Sequence, residues 1–182
     1  HSKADSKYKK VTIDKQSMGL IETANEGMNT SSRFIVALDT SGSMQSNVRG
    51  TSISSLTVGK AMALYFSYLL EGSFAKGFIE FNTIPILKQW FGSTPTECWD
   101  SFNCEAYGST NFVGIANLLV KLRGKGMPLS TFPNGLLCIS DGEFNRAAAG
   151  GYGLREVEIA EQNKTSFQQF KKILLDGALP KD

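Results

Sequence analysis

A short, continuous apolar run, Phe34–Leu38, places the strongest constraint on the fold of this chain, because polar residues bound it on both sides. A strand with one face in water alternates apolar and polar side chains, whereas an unbroken run of this length is typical of a strand buried on both faces. Such strands belong mainly to parallel sheets that helices cover on both sides. A second run, Gly135–Ser140, predicts a second buried strand.

The rest of the chain alternates strand-like and helix-like patterns around these two runs. The predicted order, β-α-β-β-α-β-α, indicates an α/β protein with an open, mostly parallel, Rossmann-like sheet and helices on both faces. The elements that complete this order are a helix at Thr57–Glu71 ended by Gly72, strands at Phe78–Asn82 and Ile84–Trp90, a helix at Thr110–Leu122, and a helix from a capping box at Thr165 to Gly177.

Three details of this prediction concern packing. Val58 and Met62 belong to the helical spacing of the first predicted helix, so we expect them to face the interior. Pro85 cannot donate a backbone hydrogen bond and predicts that its strand lies at a sheet edge. Trp99 and Phe102 fall in a segment predicted to be a loop.

The first 32 residues are predicted to be an N-terminal arm, followed by one domain at 33–182. Lysines dominate the beginning of the arm, and the alternation of Val11 and Ile13 predicts a short edge strand. Residues 17–29 favour a short amphipathic helix, which Gly19 and Gly27 weaken.

Composition excludes several classes of function. The formal net charge is +2, which gives no overall electrostatic argument for binding nucleic acid or a membrane. The one histidine is His1, so Ser/His and Cys/His catalysis and histidine-rich metal sites are not expected. The longest apolar stretch, Ala61–Leu70, is far shorter than the roughly 20 residues that a membrane span needs.

The three cysteines, Cys98, Cys104 and Cys138, are an odd number, which argues against a disulfide framework. Cys98 and Cys104 are close enough in sequence to bridge across a loop, but unpaired thiols are the favoured interpretation. Because no secretory signal pattern is found either, we expect a cytoplasmic location.

Acidic and hydroxyl residues follow the two buried strands. Asp39 and Asp141 come directly at their carboxyl ends, which meet at one edge of a parallel sheet, where ligands bind. Ser41 and Ser43 complete a D-x-S-x-S spacing, and Thr110 lies at a predicted helix start. Carboxylate and hydroxyl oxygens suit a hard cation such as Mg²⁺ or Mn²⁺. Two carboxylates about 4 Å apart would repel by roughly 4 kcal/mol at an effective dielectric near 20, and a cation between them relieves this repulsion.

These segments resemble the metal-ion-dependent adhesion site of von Willebrand factor A (vWA) domains. Residues Phe34–Met44 are similar to its first motif, Thr110 in Gly-Ser-Thr-Asn to its second, and Asp141 in Ile-Ser-Asp-Gly-Glu to its third. The similarity covers roughly residues 33–176. The wording of the third motif looks more like the intracellular branch, such as the vWA domain of Ro ribonucleoproteins and their TROVE-like relatives.

The resemblance implies a protein-interaction module without catalytic activity. Mg²⁺, or Mn²⁺ or Ca²⁺, would be held by Ser41, Ser43 and Thr110, with Asp39 and Asp141 contributing directly or through water. Neutral hydroxyl ligands leave the cation electrophilic and with an open position, at which an Asp or Glu carboxylate of a partner protein would bind.

The chain departs from the family after the third motif. Such domains have two more parallel strands there, whereas about 40 residues follow Asp141 and contain no convincing apolar strand. We therefore expect an unpaired edge beside Leu136–Ile139, covered by further residues of a longer parent chain, by the Lys10–Lys15 segment, or by another protomer. Of these three covers, further residues of a longer parent chain are favoured. The RNA-binding ring of Ro-type proteins is not part of the chain, so RNA is expected only indirectly, through a larger assembly.

Two other functions are compatible with the same residues. The chain could be a structural subunit of a larger assembly, such as a ribonucleoprotein, in which the metal loop only stabilises the fold. A Mg²⁺-dependent phosphatase would use Asp39 as nucleophile but needs a second aspartate where Ser41 stands. Taken without the other motifs, Asp39 is also typical of a helix N-cap.

Overall fold

The structure is a computed structural model that describes residues 3–27, 33–142 and 156–178. Nine main elements are α1 (Lys3–Gly27), β1 (Phe34–Asp39), α2 (Ser55–Tyr68), β2 (Gly77–Phe81), β3 (Ile86–Gln89), α3 (Pro95–Ser101), α4 (Phe112–Gly124), β4 (Gly135–Ile139) and α5 (Glu156–Gly177), with short 3₁₀ turns at Gly42–Gln45 and Gly72–Phe74.

The strands form one mixed, mostly parallel sheet in the order β3-β2-β1-β4. β1 pairs in parallel with β2 on one side and with β4 on the other, while β3 adds antiparallel to β2 at the edge. Residues 35–39 of β1 have no exposed surface. The predicted α/β class, the central buried strand and the edge position of the strand after Pro85 are therefore confirmed.

Helices cover both faces of the sheet. Leu38 and Ile139 are register partners, and both lie against α2 at Gly59, where an added Cβ would be 3.0 Å from Leu38 and 3.5 Å from Ile139. Phe81 pairs with the next residue of β1 and so lies on the opposite face, where its ring meets Phe112 of α4 edge-on at 6.5 Å. α5 packs against the outside of α4.

The prediction of which face of α2 is buried is wrong. Val58 and Met62 are exposed, and the buried residues of the helix include Gly59, Lys60 and Ser67. The true face keeps helical spacing, but a pattern of apolar residues misses glycine, lysine and serine. Lys60 is buried because its Nζ donates to the Trp99 carbonyl at 2.7 Å and lies 4.1 Å from the centre of the Trp99 ring.

The N-terminal segment is a long helix that includes the helix predicted within residues 17–29 as far as Gly27, whereas the predicted edge strand at Val11–Ile13 is wrong. α1 packs against α3 and α2, with Lys10 paired to Asp100 at 2.6 Å and the Asp14 carboxylate accepting from the Thr96 backbone N–H at 2.8 Å. Because these partners are distant in sequence, the local alternation of Val11 and Ile13 wrongly predicted a strand. Lys10–Lys15 therefore does not cover the edge of β4 as one hypothesis held.

α3 replaces the loop predicted around Trp99. Its sequence signal is a capping box, in which the Thr94 side chain accepts from the Glu97 backbone N–H at 3.3 Å and the Glu97 carboxylate returns to the backbone of Thr94. Several boundaries also moved: α2 ends at Tyr68 rather than Glu71, β3 begins at Ile86, α4 begins at Phe112, and α5 begins at Glu156 rather than Thr165.

All three cysteines are free, as favoured from the sequence. Within the described residues β4 has a strand neighbour on one side only, β1. None of the described helices combines the length and the apolar character that crossing a bilayer requires.

Gly59 provides a test of the α2 packing. We expect Gly59→Leu to lower the free energy of unfolding by about 1 to 3 kcal/mol in urea unfolding, because the new side chain would overlap Leu38 and Met44. The matched control is Gly19→Leu in α1, where nothing lies within 4 Å of an added Cβ. The control should be neutral or stabilising by about 0.5 to 1 kcal/mol. Equal losses at both positions would contradict the packing described here.

Candidate functional site

Three loops meet at the carboxyl end of β1. They are the loop that follows β1, the segment 140–142 after β4, and the loop that precedes α4. Two backbone hydrogen bonds join the first loop to the third: Gly42 N–H donates to the Gly108 carbonyl at 3.1 Å, and Tyr107 N–H donates to the Thr40 carbonyl at 2.9 Å. Residues far apart in sequence are thereby held at one edge of the sheet.

Asp39 lies at the centre of these loops and has no exposed surface. One carboxylate oxygen, Oδ1, accepts from the Ser41 backbone N–H at 2.8 Å. The other, Oδ2, accepts from the Ser140 hydroxyl at 2.6 Å, and Ser140 Oγ itself accepts from Gly142 N–H at 3.1 Å. The carboxylate therefore joins the end of β1 to the end of β4.

Burial raises the pKa of Asp39, and the negative charge of Asp141 raises it further. The hydrogen bonds from Ser140 and Ser41 act in the opposite direction but do not cancel the effect of burial. Asp141 is itself exposed, and its charge has the smallest of the effects on the pKa of Asp39. A positive charge at this position would offset both the burial and the repulsion.

The hydroxyls of Ser41 and Ser43 lie side by side, with their Oγ atoms 3.2 Å apart. Ser41 is buried and Ser43 half-buried. Thr110 is 5 % exposed, and within the described residues no hydrogen-bond partner of its hydroxyl is found. The one fully buried side-chain polar atom without a partner among the described residues is Trp90 Nε1, so the Thr110 hydroxyl keeps contact with water and its lone pairs are open to a cation.

Gly108 allows the loop that carries Thr110 to approach the end of β2. Its φ is +73°, in the left-handed region that favours glycine, and an added Cβ would lie 2.4 Å from Thr83 Oγ1. Ser109 N–H donates to the same Thr83 hydroxyl at 3.2 Å. The glycine of the Gly-Ser-Thr segment is therefore required for the approach of this loop to the end of β2.

Sequence reasoning missed a buried polar network behind these residues. Thr40 Oγ1 donates to Glu80 Oε1 at 3.3 Å and accepts from Asn82 Nδ2 at 3.1 Å. Ser140 was also missed as a partner of Asp39. The available signals were Ser140 beside Asp141, and Asn82 at the end of its strand.

The five residues predicted as metal ligands differ in the contacts that the structure gives them. Asp39, Ser41 and Ser43 form one hydrogen-bonded cluster, and Asp141 acts on Asp39 through its charge. Thr110 lies on a neighbouring loop that is bonded to the first. All donors are oxygens, which suits a hard cation. Among the described residues, this site included, no group of three or more His, Cys, Asp or Glu side chains is found that could hold a metal, so a cation here would depend on the serine and threonine hydroxyls.

Cys138 also lies near this site but is unsuited to metal binding. Burial, assisted by the charge of Asp39, raises the pKa of its thiol to about 12. Since the thiolate is the form that binds metals, this residue remains a neutral part of β4 at physiological pH.

Comparison with protein-family models and with curated protein sequences finds no match for this chain. Its functional interpretation therefore depends on the motifs and geometry of its own residues.

Asp39 gives the metal-free protein a pH dependence of definite sign. Its pKa is raised on folding, so its contribution to stability is fully present below the ordinary aspartate pKa of 3.8 and is lost as the pH rises through the folded pKa. We expect the free energy of unfolding of the parent, minus that of Asp39→Asn, to fall as the pH rises toward neutrality when both are unfolded by urea in EDTA.

The asparagine can still accept from Ser41 N–H but loses the oxygen that accepts from the Ser140 hydroxyl. That loss does not vary with pH, so the change of the difference with pH reports the titration of Asp39. Asp141→Asn serves as a control: it keeps the buried carboxylate and should retain most of the decline, because burial is the larger cause of the raised pKa. A difference between parent and Asp39→Asn that stays flat, or grows with pH, would contradict the account of Asp39.

Proposed function

We propose that this chain is a metal-dependent protein-interaction module of the vWA type, without catalytic activity of its own. In this proposal Mg²⁺, or Mn²⁺ or Ca²⁺, is held by Asp39, Ser41, Ser43, Thr110 and Asp141. The observation that carries it is the buried Asp39 carboxylate, which accepts from the Ser41 backbone N–H beside the paired hydroxyls of Ser41 and Ser43 at one edge of the sheet.

The topology supports this location for a ligand. From β1 the chain crosses to β2 on one side, and it later returns to place β4 on the other side of β1. Strand order therefore reverses between β1 and β4, and ligands of open α/β sheets bind in the crevice at such a reversal. Asp39 and Asp141 lie at the ends of these two strands, and Ser140 spans the gap to Asp39 at 2.6 Å.

The donor chemistry supports binding rather than catalysis. Serine and threonine hydroxyls add no charge, so a divalent cation among them keeps the ability to ligate an acidic group of a partner protein. A phosphatase would need Asp39 as a free nucleophile, but both of its carboxylate oxygens accept hydrogen bonds, and Ser41 stands where a general acid is required.

The proposal predicts stabilisation by metal. At 100 times its dissociation constant a ligand adds about 2.7 kcal/mol, which for a chain of this size raises the melting temperature by about 5 to 10 °C. We expect this saturable rise when MgCl₂ or MnCl₂ is titrated into the EDTA-treated parent in a thermal melt. Asp39→Asn and Thr110→Val should abolish or strongly reduce it.

Thr12→Val is the matched control for Thr110→Val, since Thr12 is exposed on α1 and its hydroxyl contacts only the carbonyl of Tyr8. This control should respond to metal as the parent does. A parent that shows no shift with either metal, or variants that respond equally, would overturn the metal site.

A second prediction separates the interaction module from a purely structural metal site. With Mn²⁺ bound, an open position would hold water, and acetate can stand in for a partner carboxylate. We expect acetate to lower the water-proton relaxation enhancement of the Mn²⁺-loaded parent in a saturable manner, while chloride at equal ionic strength does not. Mn²⁺ that binds but is insensitive to acetate would favour the structural alternative.

A further inference from the structure

We propose that Thr40 is a positioning residue for the cation ligands and that buried Glu80 and Asn82 hold it in place. The inference rests on the proposed function, because it concerns the affinity of the same site. Thr40 separates Asp39 from Ser41, and it is fully buried with its hydroxyl directed away from them, toward β2.

The Thr40 hydroxyl is saturated by two side chains. It donates to Glu80 Oε1 at 3.3 Å and accepts from Asn82 Nδ2 at 3.1 Å. Asn82 in turn accepts at Oδ1 from the Ile84 backbone N–H at 3.3 Å, which orients its amide. Thr40 is thereby anchored to the end of β2.

The backbone of Thr40 is held as well. Its N–H donates to the Phe81 carbonyl at 2.9 Å, and its carbonyl accepts from Tyr107 N–H at 2.9 Å. The second bond reaches the loop that carries Thr110. Thr40 therefore determines the path of the turn through Asp39 and Ser41 and also the distance to the loop of the remaining hydroxyl ligand.

Glu80 connects the Thr40 hydroxyl to the edge strand β3. It is a buried carboxylate whose Oε2 lies 2.5 Å from Lys88 Nζ, and the Lys88 ammonium lies 4.7 Å from the centre of the Phe102 ring. Because Lys88 is partly exposed, this ion pair contributes only modest stability, but it holds the Glu80 carboxylate beside the Thr40 hydroxyl.

The expected consequence is a loss of metal affinity, distinct from a loss of fold. Metal sites tolerate only small displacements of their ligands, and removing a group that orients ligands typically costs about 10- to 100-fold in affinity. Thr40→Val keeps the shape of the side chain but removes the hydroxyl. It should weaken binding by this factor even where the protein remains folded.

The test measures Mn²⁺ affinity by isothermal titration calorimetry and, separately, the free energy of unfolding in EDTA. The matched control is Ser67→Ala, which removes another fully buried hydroxyl, one that donates to the carbonyls of Ala63 and Gly77. Both variants should lose stability, but only Thr40→Val should lose affinity. Thr40→Ser, which restores the hydroxyl, should bind within about threefold of the parent.

Glu80→Met removes the acceptor instead of the donor and carries the same test if Thr40→Val does not fold. Lys88 is partly exposed, so in that variant its ammonium can reach water. The double variant should bind no more weakly than the weaker single variant, because both changes break one contact. Additive losses, or parent-like affinity in both single variants, would overturn the inference.

The parent and Asp39→Asn separate this inference from the proposed function. If the parent binds Mn²⁺, Asp39→Asn does not, and Thr40→Val matches the parent, only the positioning role fails. If the parent binds no Mn²⁺, the metal site fails and the positioning role fails with it.

Discussion

β1 has a parallel strand along each edge and a helix against each face, so groups at its carboxyl end reach water only between the loops. Asp39 is the last residue of this strand, and its burial follows from that position. A buried carboxylate is costly unless hydrogen bonds or a positive charge compensate it. Its bonds to Ser41 and Ser140 satisfy its oxygens, and its raised pKa shows that they do not fully compensate its charge.

The loops around Asp39 are held by backbone and hydroxyl contacts rather than by apolar packing. Gly108 permits an approach that any side chain would block, and Thr83 and Tyr107 tie the same loop to β2 and β1. Behind them, the Glu80–Lys88 ion pair extends the polar network to the edge strand. The candidate site is therefore a product of the whole sheet, since contacts from β1, β2, β3 and β4 all bear on it.

This arrangement combines rigidity with an incomplete charge balance. The Asp39 carboxylate and the neighbouring serine hydroxyls carry no positive partner within the described residues, where Lys88 is paired with Glu80 and Lys60 with the Trp99 carbonyl and ring. In the proposed function, a divalent cation would supply positive charge beside Asp39 without displacing these pairs.

The sequence by itself determined the two central strands and the placement of Asp39 and Asp141 after their ends, because short unbroken apolar runs bounded by polar residues are local patterns. Full burial is confirmed for β1, whereas β4 is half-buried along most of its length, so the prediction that both strands are buried is wrong for β4. The D-x-S-x-S spacing likewise predicted neighbouring hydroxyls, which the turn after β1 brings together.

Only the tertiary structure decided which face of α2 is buried, that α1 and α3 form and pack together, and which groups pair with Asp39 and Thr40. Each of these depends on partners distant in the chain. Lys60 is buried because the Trp99 carbonyl accepts a hydrogen bond from its ammonium, and Thr40 is fixed because Glu80 and Asn82 lie at the end of the neighbouring strand. A sequence pattern records the polarity of a side chain but not the partner that makes its burial favourable.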